Sequence, residues 1–251
     1  MVKPFLSVVI PSYNELGNLH KGVLDKVDHY LSRQKYSWEV IVVDDGSTDG
    51  SIEFVENFIK ENKGFRLVKN GHTGKAGAVT QGVLDAQGEI VLFTDMDQAT
   101  PIEEVENFFS PLEKNFDIVI GSRNSKRKGA PWTRLVMARS MMILRTLIVG
   151  VYGISDTQCG FKAFRNDVAK KLFKKVNEIN KGFKQVTGSH VTAGFDVELL
   201  YLAQKMGYKI KEVPVSWLYV ETRRVSPLKD SIDGFFDLFK IKFNSLKGIY
   251  D

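Results

Sequence analysis

The first half of the chain alternates between short apolar runs and longer stretches with apolar residues at helical spacing. The apolar runs predict four buried strands, over residues 6–11, 38–43, 65–68 and 89–94. The stretches between them predict three helices, over residues 17–33, from Ser47 or Thr48 as a cap to Lys60, and over 74–86. This order predicts an α/β fold in which helices flank a mostly parallel central sheet with right-handed crossovers.

Polar clusters stand where three of these strands should end. They occupy residues 11–15, 44–47 and 95–98. Carboxyl ends of parallel strands share one edge of a sheet, and ligands bind in the crevice beyond that edge. We therefore expect the three clusters to converge on one site.

Asp95 and Asp97 form an Asp-x-Asp pair at the end of the fourth predicted strand. In isolation such a pair is typical of a turn, because aspartate favours local hydrogen bonds to the backbone. A turn at a strand end also brings both carboxylates to one divalent cation, with coordination positions left for a diphosphate. The neighbouring polar clusters favour the metal-site interpretation.

The second half of the chain is less regular. Its pattern predicts a strand over residues 117–123, a helix over 132–150, a polar loop over 156–162, a helix over 195–206 and a strand over 210–220. The first of these strands would deliver Arg123 to a loop. Pro214 within the last strand indicates an edge or a break.

Composition narrows the class of protein. The 251 residues suffice for one large α/β domain or two small ones. A net charge of +5 and a pI near 9.1 suit an anionic partner. The single cysteine, Cys159, excludes an internal disulfide framework and is expected to be packed. Residues 11–15 do not fit a dinucleotide fingerprint, and Lys69 and Ala76 break the P-loop pattern.

The sequence predicts neither a signal peptide nor a membrane-spanning helix. Its start lacks a long apolar core. The longest apolar stretch, residues 141–154, is interrupted by Arg145 and is short for a bilayer. We therefore expect a cytoplasmic chain that is peripheral on the cytosolic face of a membrane.

The last segment, residues 226–251, predicts an amphipathic helix that follows a domain of residues 1–225. Its apolar stripe is flanked by Lys240 and Lys247 and consists of Phe235, Phe236, Phe239, Phe243 and Leu246. An interfacial membrane helix is built in this way, and so is a terminal helix that covers a core. Both interpretations stay open.

Seven stretches carry a resemblance to a known family. They are residues 8–15, 42–49, 74–79, 94–97, 121–123, 156–162 and 195–199. On these stretches the chain resembles family 2 glycosyltransferases with the GT-A fold, over residues 5–225. The last two stretches most resemble the branch of dolichyl-phosphate glucosyltransferases and polyprenyl-phosphate glycosyltransferases.

The resemblance implies an inverting glycosyltransferase that moves a hexose from a nucleotide sugar to a polyprenyl phosphate, either dolichyl or undecaprenyl phosphate. Glucose from UDP-glucose is the favoured donor. The residues expected to bind the nucleotide sugar are Pro11, Tyr13, Glu15, Asp44, Asp45, Lys75, Asp95 and Gln158.

The same resemblance implies Mg²⁺ or Mn²⁺ held by Asp95 and Asp97, where the ion neutralises charge on the departing nucleotide. The acceptor phosphate would be bound by arginines, because guanidinium groups bind phosphate bidentately. These are Arg123, Arg134 and Arg139. A phosphate oxygen is already anionic at neutral pH, so a strong general base is not required. The residues expected to act in catalysis are Asp97, Arg123 and Asp196.

Two departures from the family pattern stand out. Mannose-type relatives carry a glutamine metal ligand two residues beyond the second aspartate, where this chain has Ala99. The role of Gln98 therefore stays open. Glucose-type relatives carry membrane helices that this sequence does not predict, so we expect attachment to the membrane surface instead.

Three alternatives remain at this point. In the first, the donor would be a different nucleotide sugar, such as GDP-mannose. In the second, the acceptor would be a saccharide hydroxyl, which needs a general base. Asp196 or Glu198 would serve, but at most one of them points into the site, because residues two apart on a helix do not share a face. The resemblance implies Asp196. A non-enzymatic nucleotide-sugar-binding protein ranks last, since Asp95 and Asp97 are both present. No nucleic acid partner is expected, and the oligomeric state stays open.

Overall fold

The computed structural model describes residues 3–123, 142–186, 193–218 and 227–251. The strands are β1 (Leu6–Ser12), β2 (Trp38–Asp44), β3 (Phe65–Lys69), β4 (Ile90–Thr94), β5 (Ile118–Ser122), β6 (Phe161–Arg165) and β7 (Ile210–Pro214). They form one seven-stranded sheet in the order β3-β2-β1-β4-β6-β5-β7.

Helices cover both faces of this sheet. They are α1 (Leu16–Leu19), α2 (Val23–Leu31), α3 (Ser51–Glu61), α4 (Gly74–Asp85), α5 (Glu106–Glu113), α6 (residues 142–148), α7 (Asn166–Ile179), α8 (Ala193–Lys205) and α9 (Pro227–Leu246). A 3-10 helix, Ile102–Val105, precedes α5. Of the helix predicted over residues 132–150, the structure describes residues 142–150, and residues 142–148 are helical.

β6 runs antiparallel between β4 and β5, whereas the other strand pairs of the described chain are parallel. The predicted α/β fold with a mostly parallel sheet is therefore confirmed. The sequence does not predict β6, because Lys162 interrupts its apolar residues directly after a polar loop. Its strand conformation comes from hydrogen bonding to a neighbour on each side, in which Lys162 pairs with Phe93 and with Ile120.

Pro11 does not end the first strand, contrary to the prediction. β1 continues to Ser12, which pairs with Asp44 of β2. On the other side, pairing with β4 ends at Val9. Beyond Val9 one side of β1 is no longer hydrogen-bonded, so a residue without an N–H is tolerated.

Two other predicted boundaries have different outcomes. α3 begins at Ser51 after Gly50, whose φ of 95° is left-handed, so Ser47 and Thr48 lie outside the helix and do not cap it. The edge predicted from Pro214 is confirmed, since β7 lies at the edge of the sheet and ends at this residue.

The sheet separates two apolar layers, as the buried runs of its strands require. Val8 and Ile10 of β1 face the layer formed with α2 and α5, while Val9 faces the layer formed with α4, α7 and α8. Cys159 is packed in the first layer and is 1% exposed, as predicted. Within the described residues, no helix combines the length and apolar character needed to cross a membrane.

Gly82 lets α4 lie directly on the sheet. A Cβ atom at this position would stand 2.4 Å from Val9 Cγ1 and 2.7 Å from Val43 Cγ2. Both valines are fully buried and stiff at χ1, so neither side chain can turn aside.

We expect Gly82→Ala to destabilise the protein. Alanine favours a helix over glycine by about 1 kcal/mol, but overpacking a core costs about 1–3 kcal/mol. The net loss should be about 1 kcal/mol in urea unfolding. Gly17→Ala in α1 is the control, since its Cβ would meet no atom within 4 Å. Equal stability of the two variants would contradict close packing of α4.

Candidate active site

The carboxyl ends of the parallel strands meet at one edge of the sheet, and direct contacts join the segments that follow them. Tyr13, after β1, stacks on His72 in the loop before α4. Asp45, after β2, binds the same loop. Lys75 of α4 forms an ion pair with Asp95, after β4. These contacts bring the three polar clusters together, as the sequence predicts.

Asp45 fastens the loop that precedes α4. Its Oδ1 accepts hydrogen bonds from the Thr73 N–H and from Asn70 Nδ2, and its Oδ2 accepts one from the Gly74 N–H, each at 2.8 Å. The side chain is 3% exposed. Its nucleotide-binding role stays a prediction, while these bonds give it a structural one.

Only one of the two carboxylate oxygens of Asp44 is hydrogen-bonded within the described residues. Its Oδ1 accepts backbone N–H groups from Gly46 and Ser47, both at 2.9 Å. Its Oδ2 is buried and has no hydrogen-bond partner among the residues that the structure describes, and neither does the neighbouring Ser12 Oγ. A buried acceptor without a donor is costly, so this corner of the site is suited to a ligand that brings an N–H or O–H.

Tyr13 and His72 form a stacked pair beside this corner. Their ring centroids are 4.4 Å apart and the rings are inclined by 18°. His72 Nδ1 lies 2.7 Å from the Asp45 carbonyl oxygen, and because a carbonyl only accepts, Nδ1 carries the proton. The sequence indicates Tyr13 as a stacking residue but gives no such role to His72.

Lys75 and Asp95 place opposite charges at the centre of the site. The Lys75 Nζ lies 2.5 Å from Asp95 Oδ1. Burial lowers the pKa of Lys75, but the carboxylates of Asp95, Asp196 and Asp97 outweigh it and raise that pKa above its usual range. Asp95 also rests on Gly160, where a Cβ would come within 2.0 Å of Oδ2. Only glycine leaves room for the carboxylate in this position.

Asp97 lies in the turn after β4. Its Oδ1 accepts the Ala99 N–H at 3.0 Å. Burial, together with the Asp95 carboxylate nearby, raises the pKa of Asp97 above its ordinary value. The turn thus holds two carboxylates that repel one another, and a cation would relieve this repulsion.

These two carboxylates fit a divalent ion that takes its other ligands from a substrate. In the described part of the chain no cluster of three or more His, Cys, Asp or Glu side chains would hold a metal by itself. The Lys75 ammonium beside Asp95 indicates that the pocket attracts positive charge. A site completed by diphosphate oxygens agrees with both observations.

Gln98 shapes the turn that carries the pair. Its φ of 49° is left-handed, and its Nε2 donates to the Asp95 carbonyl oxygen at 2.9 Å. Its amide nitrogen is therefore used by the turn itself. Its Oε1 is buried without a described partner.

Arg123 follows β5, as predicted, but its guanidinium already binds a carboxylate. Its Nε and Nη2 donate to the two oxygens of Asp156 at 2.7 and 2.8 Å, and its backbone N–H donates to the same group. The guanidinium also lies 5.9 Å from the centre of the Trp217 ring. Its acceptor-phosphate and catalytic roles stay predictions. Arg134 and Arg139 lie outside the described residues.

A buried ion pair that the sequence does not predict holds the Asp196 carboxylate in place, while the catalytic role of Asp196 stays a prediction. The Lys162 Nζ donates to Asp196 Oδ1 at 2.5 Å and to the Cys159 carbonyl at 2.6 Å, and Lys162 is fully buried in the middle of β6. A lysine inside the run of residues 161–164 was the available signal, because a buried charge needs a partner. Glu198 points elsewhere and accepts the Tyr250 hydroxyl at 2.5 Å.

The remaining residues predicted to bind the nucleotide sugar lie at the border of the site. Pro11 lies within β1 and is partly buried. Glu15 directly precedes α1, where its backbone N–H donates to Ser51 Oγ and its carboxylate accepts a hydrogen bond from Asn18 Nδ2 at 2.6 Å. Gln158 is exposed on the loop before β6. Their contacts with a nucleotide sugar stay predictions.

The chain belongs to glycosyl transferase family 2, whose model matches residues 7–173, and its sheet order and site agree with that class of enzyme. It is similar to dolichyl-phosphate beta-glucosyltransferase of Dictyostelium discoideum, with 34% identity over 265 residues. That match covers 98% of this chain and 76% of the relative. The family resemblance and the enzyme class predicted from the sequence, a glycosyltransferase, are confirmed.

Solved structures share the fold. Mannosyl-3-phosphoglycerate synthase from Rubrobacter xylanophilus superposes with a TM-score of 0.66 at 17% identity, over 98% of this chain and 74% of that one. Glucosyl-3-phosphoglycerate synthase from Mycobacterium tuberculosis, solved with Mn²⁺, UDP and glucosyl-3-phosphoglycerate, gives 0.57 at 19% identity, over 98% and 80%. The GT-A fold expected from the sequence is thereby confirmed.

We expect Asp156→Asn to cost about 3 kcal/mol at neutral pH, because it leaves Arg123 without its buried counter-charge. Burial opposes ionisation of Asp156, but Arg123 outweighs it and holds the pKa of this carboxyl below its ordinary 3.8. The pair therefore stabilises fully above pH 3.8, and the contribution is lost as the pH falls through the lower folded pKa. The difference from wild type in urea unfolding should be constant near neutrality and narrow in strong acid.

The matched control is Asp167→Asn, whose contact with Arg165 is exposed and 3.7 Å long. An exposed pair of this kind contributes less than about 1 kcal/mol. If the two variants were equally stable, the Arg123–Asp156 pair would not brace the site.

Proposed function

We propose that this chain transfers glucose from UDP-glucose to a polyprenyl phosphate, with inversion at the anomeric carbon and with Mg²⁺ or Mn²⁺ bound at Asp95 and Asp97. The observation that carries the proposal is the Lys75–Asp95–Asp97 cluster beside the unsatisfied Asp44 Oδ2. The printed name of the Dictyostelium relative, dolichyl-phosphate beta-glucosyltransferase, supports glucose as the sugar and a lipid phosphate as the acceptor.

The free oxygen of the Asp44 carboxylate supports uracil as the base of the nucleotide sugar. Because its free oxygen only accepts, a base that presents a ring N–H toward it satisfies the site. Uracil and guanine have such an N–H, whereas cytosine and adenine have a lone pair at the corresponding position. This edge therefore favours UDP and GDP sugars, and the glucosyltransferase relatives favour UDP-glucose between them.

Asp95 and Asp97 are the residues that would hold the metal. A bound divalent cation supplies neutralisation of the charge that builds on departing UDP. The Mycobacterium tuberculosis neighbour, solved with Mn²⁺ and UDP, supports an ion of this kind. Lys75 adds a fixed positive charge from α4 at the same place.

The acceptor phosphate supplies its own nucleophile. One of its oxygens forms the bond to the anomeric carbon while the bond from that carbon to UDP breaks, and the electron pair leaves with UDP. No proton has to move. Asp196 is bound by Lys162 and Glu198 by Tyr250. Neither carboxylate is poised as a base, which disfavours the alternative with a saccharide hydroxyl as acceptor.

The decisive test is transfer of radiolabel from UDP-[¹⁴C]glucose to polyprenyl phosphate, measured in the organic phase. We expect label only with Mg²⁺ or Mn²⁺ present, and at least about a hundredfold loss in Asp97→Asn. The exposed Asp25→Asn on α2 is the matched control and should keep full activity. Transfer without metal, or none to any lipid phosphate, would overturn the proposal.

The same variant distinguishes loss of metal from loss of fold. The folded pKa of Asp97 is raised above its ordinary 3.8, so ionised Asp97 opposes folding at neutral pH. Asp97→Asn should therefore unfold at the same temperature as metal-free wild type or higher. Mn²⁺ should raise the unfolding temperature of wild type but not of the variant.

Asp44→Asn should change which base is bound. The asparagine oxygen is needed by the Gly46 and Ser47 N–H groups, so the amide nitrogen takes the place of Oδ2. A donor now faces the base and suits cytosine. We expect UDP to bind about ten to a hundred times more weakly, and CDP to bind better than UDP, in calorimetric titrations. An unchanged preference for UDP would remove Asp44 from the base site.

A further inference from the structure

α9 carries two separate apolar faces. On one face Leu238 and Ile241 are each 3% exposed and belong to the core. Asp237 accepts the Gly194 N–H at 2.8 Å, and Ser245 shares a 2.5 Å hydrogen bond with Tyr201, so this face is fastened to α8. The helix is therefore packed on the domain without using its aromatic residues.

The second face is an aromatic ridge that points to solvent. It comprises Phe235 (37% exposed), Phe236 (66%), Phe239 (49%), Phe243 (58%) and Leu246 (75%). At 3.6 residues per turn these side chains form a stripe about 100° wide. The interpretation of this stripe as a cover for the core is wrong, since Leu238 and Ile241 have that role. Contiguous exposed apolar surface of this kind marks an interaction site.

Charge identifies the kind of partner. Lys240, Lys242 and Lys247 are exposed along the ridge, whereas the acidic residues of α9 all precede Leu238, and Asp237 lies on the domain-facing side, where it accepts the Gly194 N–H. The Lys247 ammonium lies 4.3 Å from the centre of the Phe243 ring, at the border between the ridge and solvent. Aromatic side chains bordered by lysines suit an anionic lipid surface, where the rings enter the interface and the ammonium groups meet phosphate.

The same charges disfavour a second copy of the chain as partner. Two ridges in contact would bring their lysines together, and juxtaposed like charges repel one another. A neutral apolar partner would gain nothing from the lysines. An anionic bilayer surface uses both features at once.

We propose that the aromatic ridge docks α9 on the surface of a bilayer that contains anionic phospholipids. The inference goes beyond the proposed function, because it rests on α9 and would stand with any donor or acceptor. α8 joins the ridge to the site, since it contacts α9 through Tyr201 and carries Asp196. A docked α9 would therefore hold the site close to a lipid-borne substrate.

Co-sedimentation of the full chain with vesicles of equimolar phosphatidylcholine and phosphatidylglycerol tests this proposal. Wild type should bind these vesicles and bind pure phosphatidylcholine weakly. Phe236→Ser/Phe239→Ser should lower the partition coefficient at least about tenfold. Lys240→Glu/Lys247→Glu should lower binding to the anionic vesicles and leave the weak binding to phosphatidylcholine unchanged.

Two control variants match these changes elsewhere on the surface. Met206→Ser removes an apolar side chain that is 38% exposed outside the ridge. Lys171→Glu/Lys174→Glu on α7 changes the net charge by the same amount. Both should bind anionic vesicles more tightly than the corresponding α9 variants do, and all variants should unfold at the wild-type temperature.

Several results would overturn the proposal. One is that wild type does not sediment with anionic vesicles, and another is that the phenylalanine variant binds them as tightly as wild type does. A large drop in its unfolding temperature would mean that the ridge is packed, and a wild-type dimer broken by the same substitutions would identify a second copy as the partner. Glucose transfer to a short, water-soluble polyprenyl phosphate should be unchanged in the ridge variants. Failure of that reaction in wild type would count against the proposed function and not against docking.

Discussion

Charge compensation at the carboxyl edge of the sheet holds the site together. Three of the acids there are each paired with a cation from a different element, so the pairs act as ties between elements. The ties are Lys75 with Asp95, Arg123 with Asp156, and Lys162 with Asp196. In the two more deeply buried pairs, Arg123 with Asp156 and Lys162 with Asp196, removing one partner would leave an uncompensated charge at a cost of about 3 kcal/mol or more. The elements must therefore stay in place for the charges to be tolerated.

β6 makes this arrangement possible. It lies between β4, which leads to the aspartate pair, and β5, which leads to Arg123. From the middle of β6, Lys162 reaches Asp196 on α8, and its ammonium lies 5.1 Å from the centre of the Phe93 ring. One buried side chain thus connects the sheet to the helix that carries Asp196. Asp44 and Asp97, by contrast, accept backbone N–H groups instead of pairing with a cation.

Much of the fold and the location of the site could be predicted, because both depend on local patterns. Apolar runs identify parallel strands, and the residues after them must share one edge. Which side chains bind one another within the site could not be predicted in the same way. Nothing near Arg123 in sequence indicates that its guanidinium binds Asp156. In the same way, nothing near Asp45 indicates that its carboxylate binds the loop before α4.

Helical periodicity has a similar limit in α9. It identifies the phenylalanine stripe correctly but cannot say which of two apolar faces meets the domain. That choice depends on the shape of α8, where Gly194 admits Asp237 at a position that a Cβ would fill. Long-range packing therefore decides what the sequence pattern leaves open.

The antiparallel direction of β6 has a consequence for how such an enzyme diversifies. β5 ends at the active edge and β6 begins there, so the chain after Arg123 departs from the site and returns to it at Asp156. The ion pair between these two residues joins the two ends of the intervening segment. The described part of this segment contributes to the core through Val149, Val151 and Ile154, and Ser155 donates hydrogen bonds to Glu212. Sequence changes in this segment are therefore compatible with the fold only where they keep these contacts.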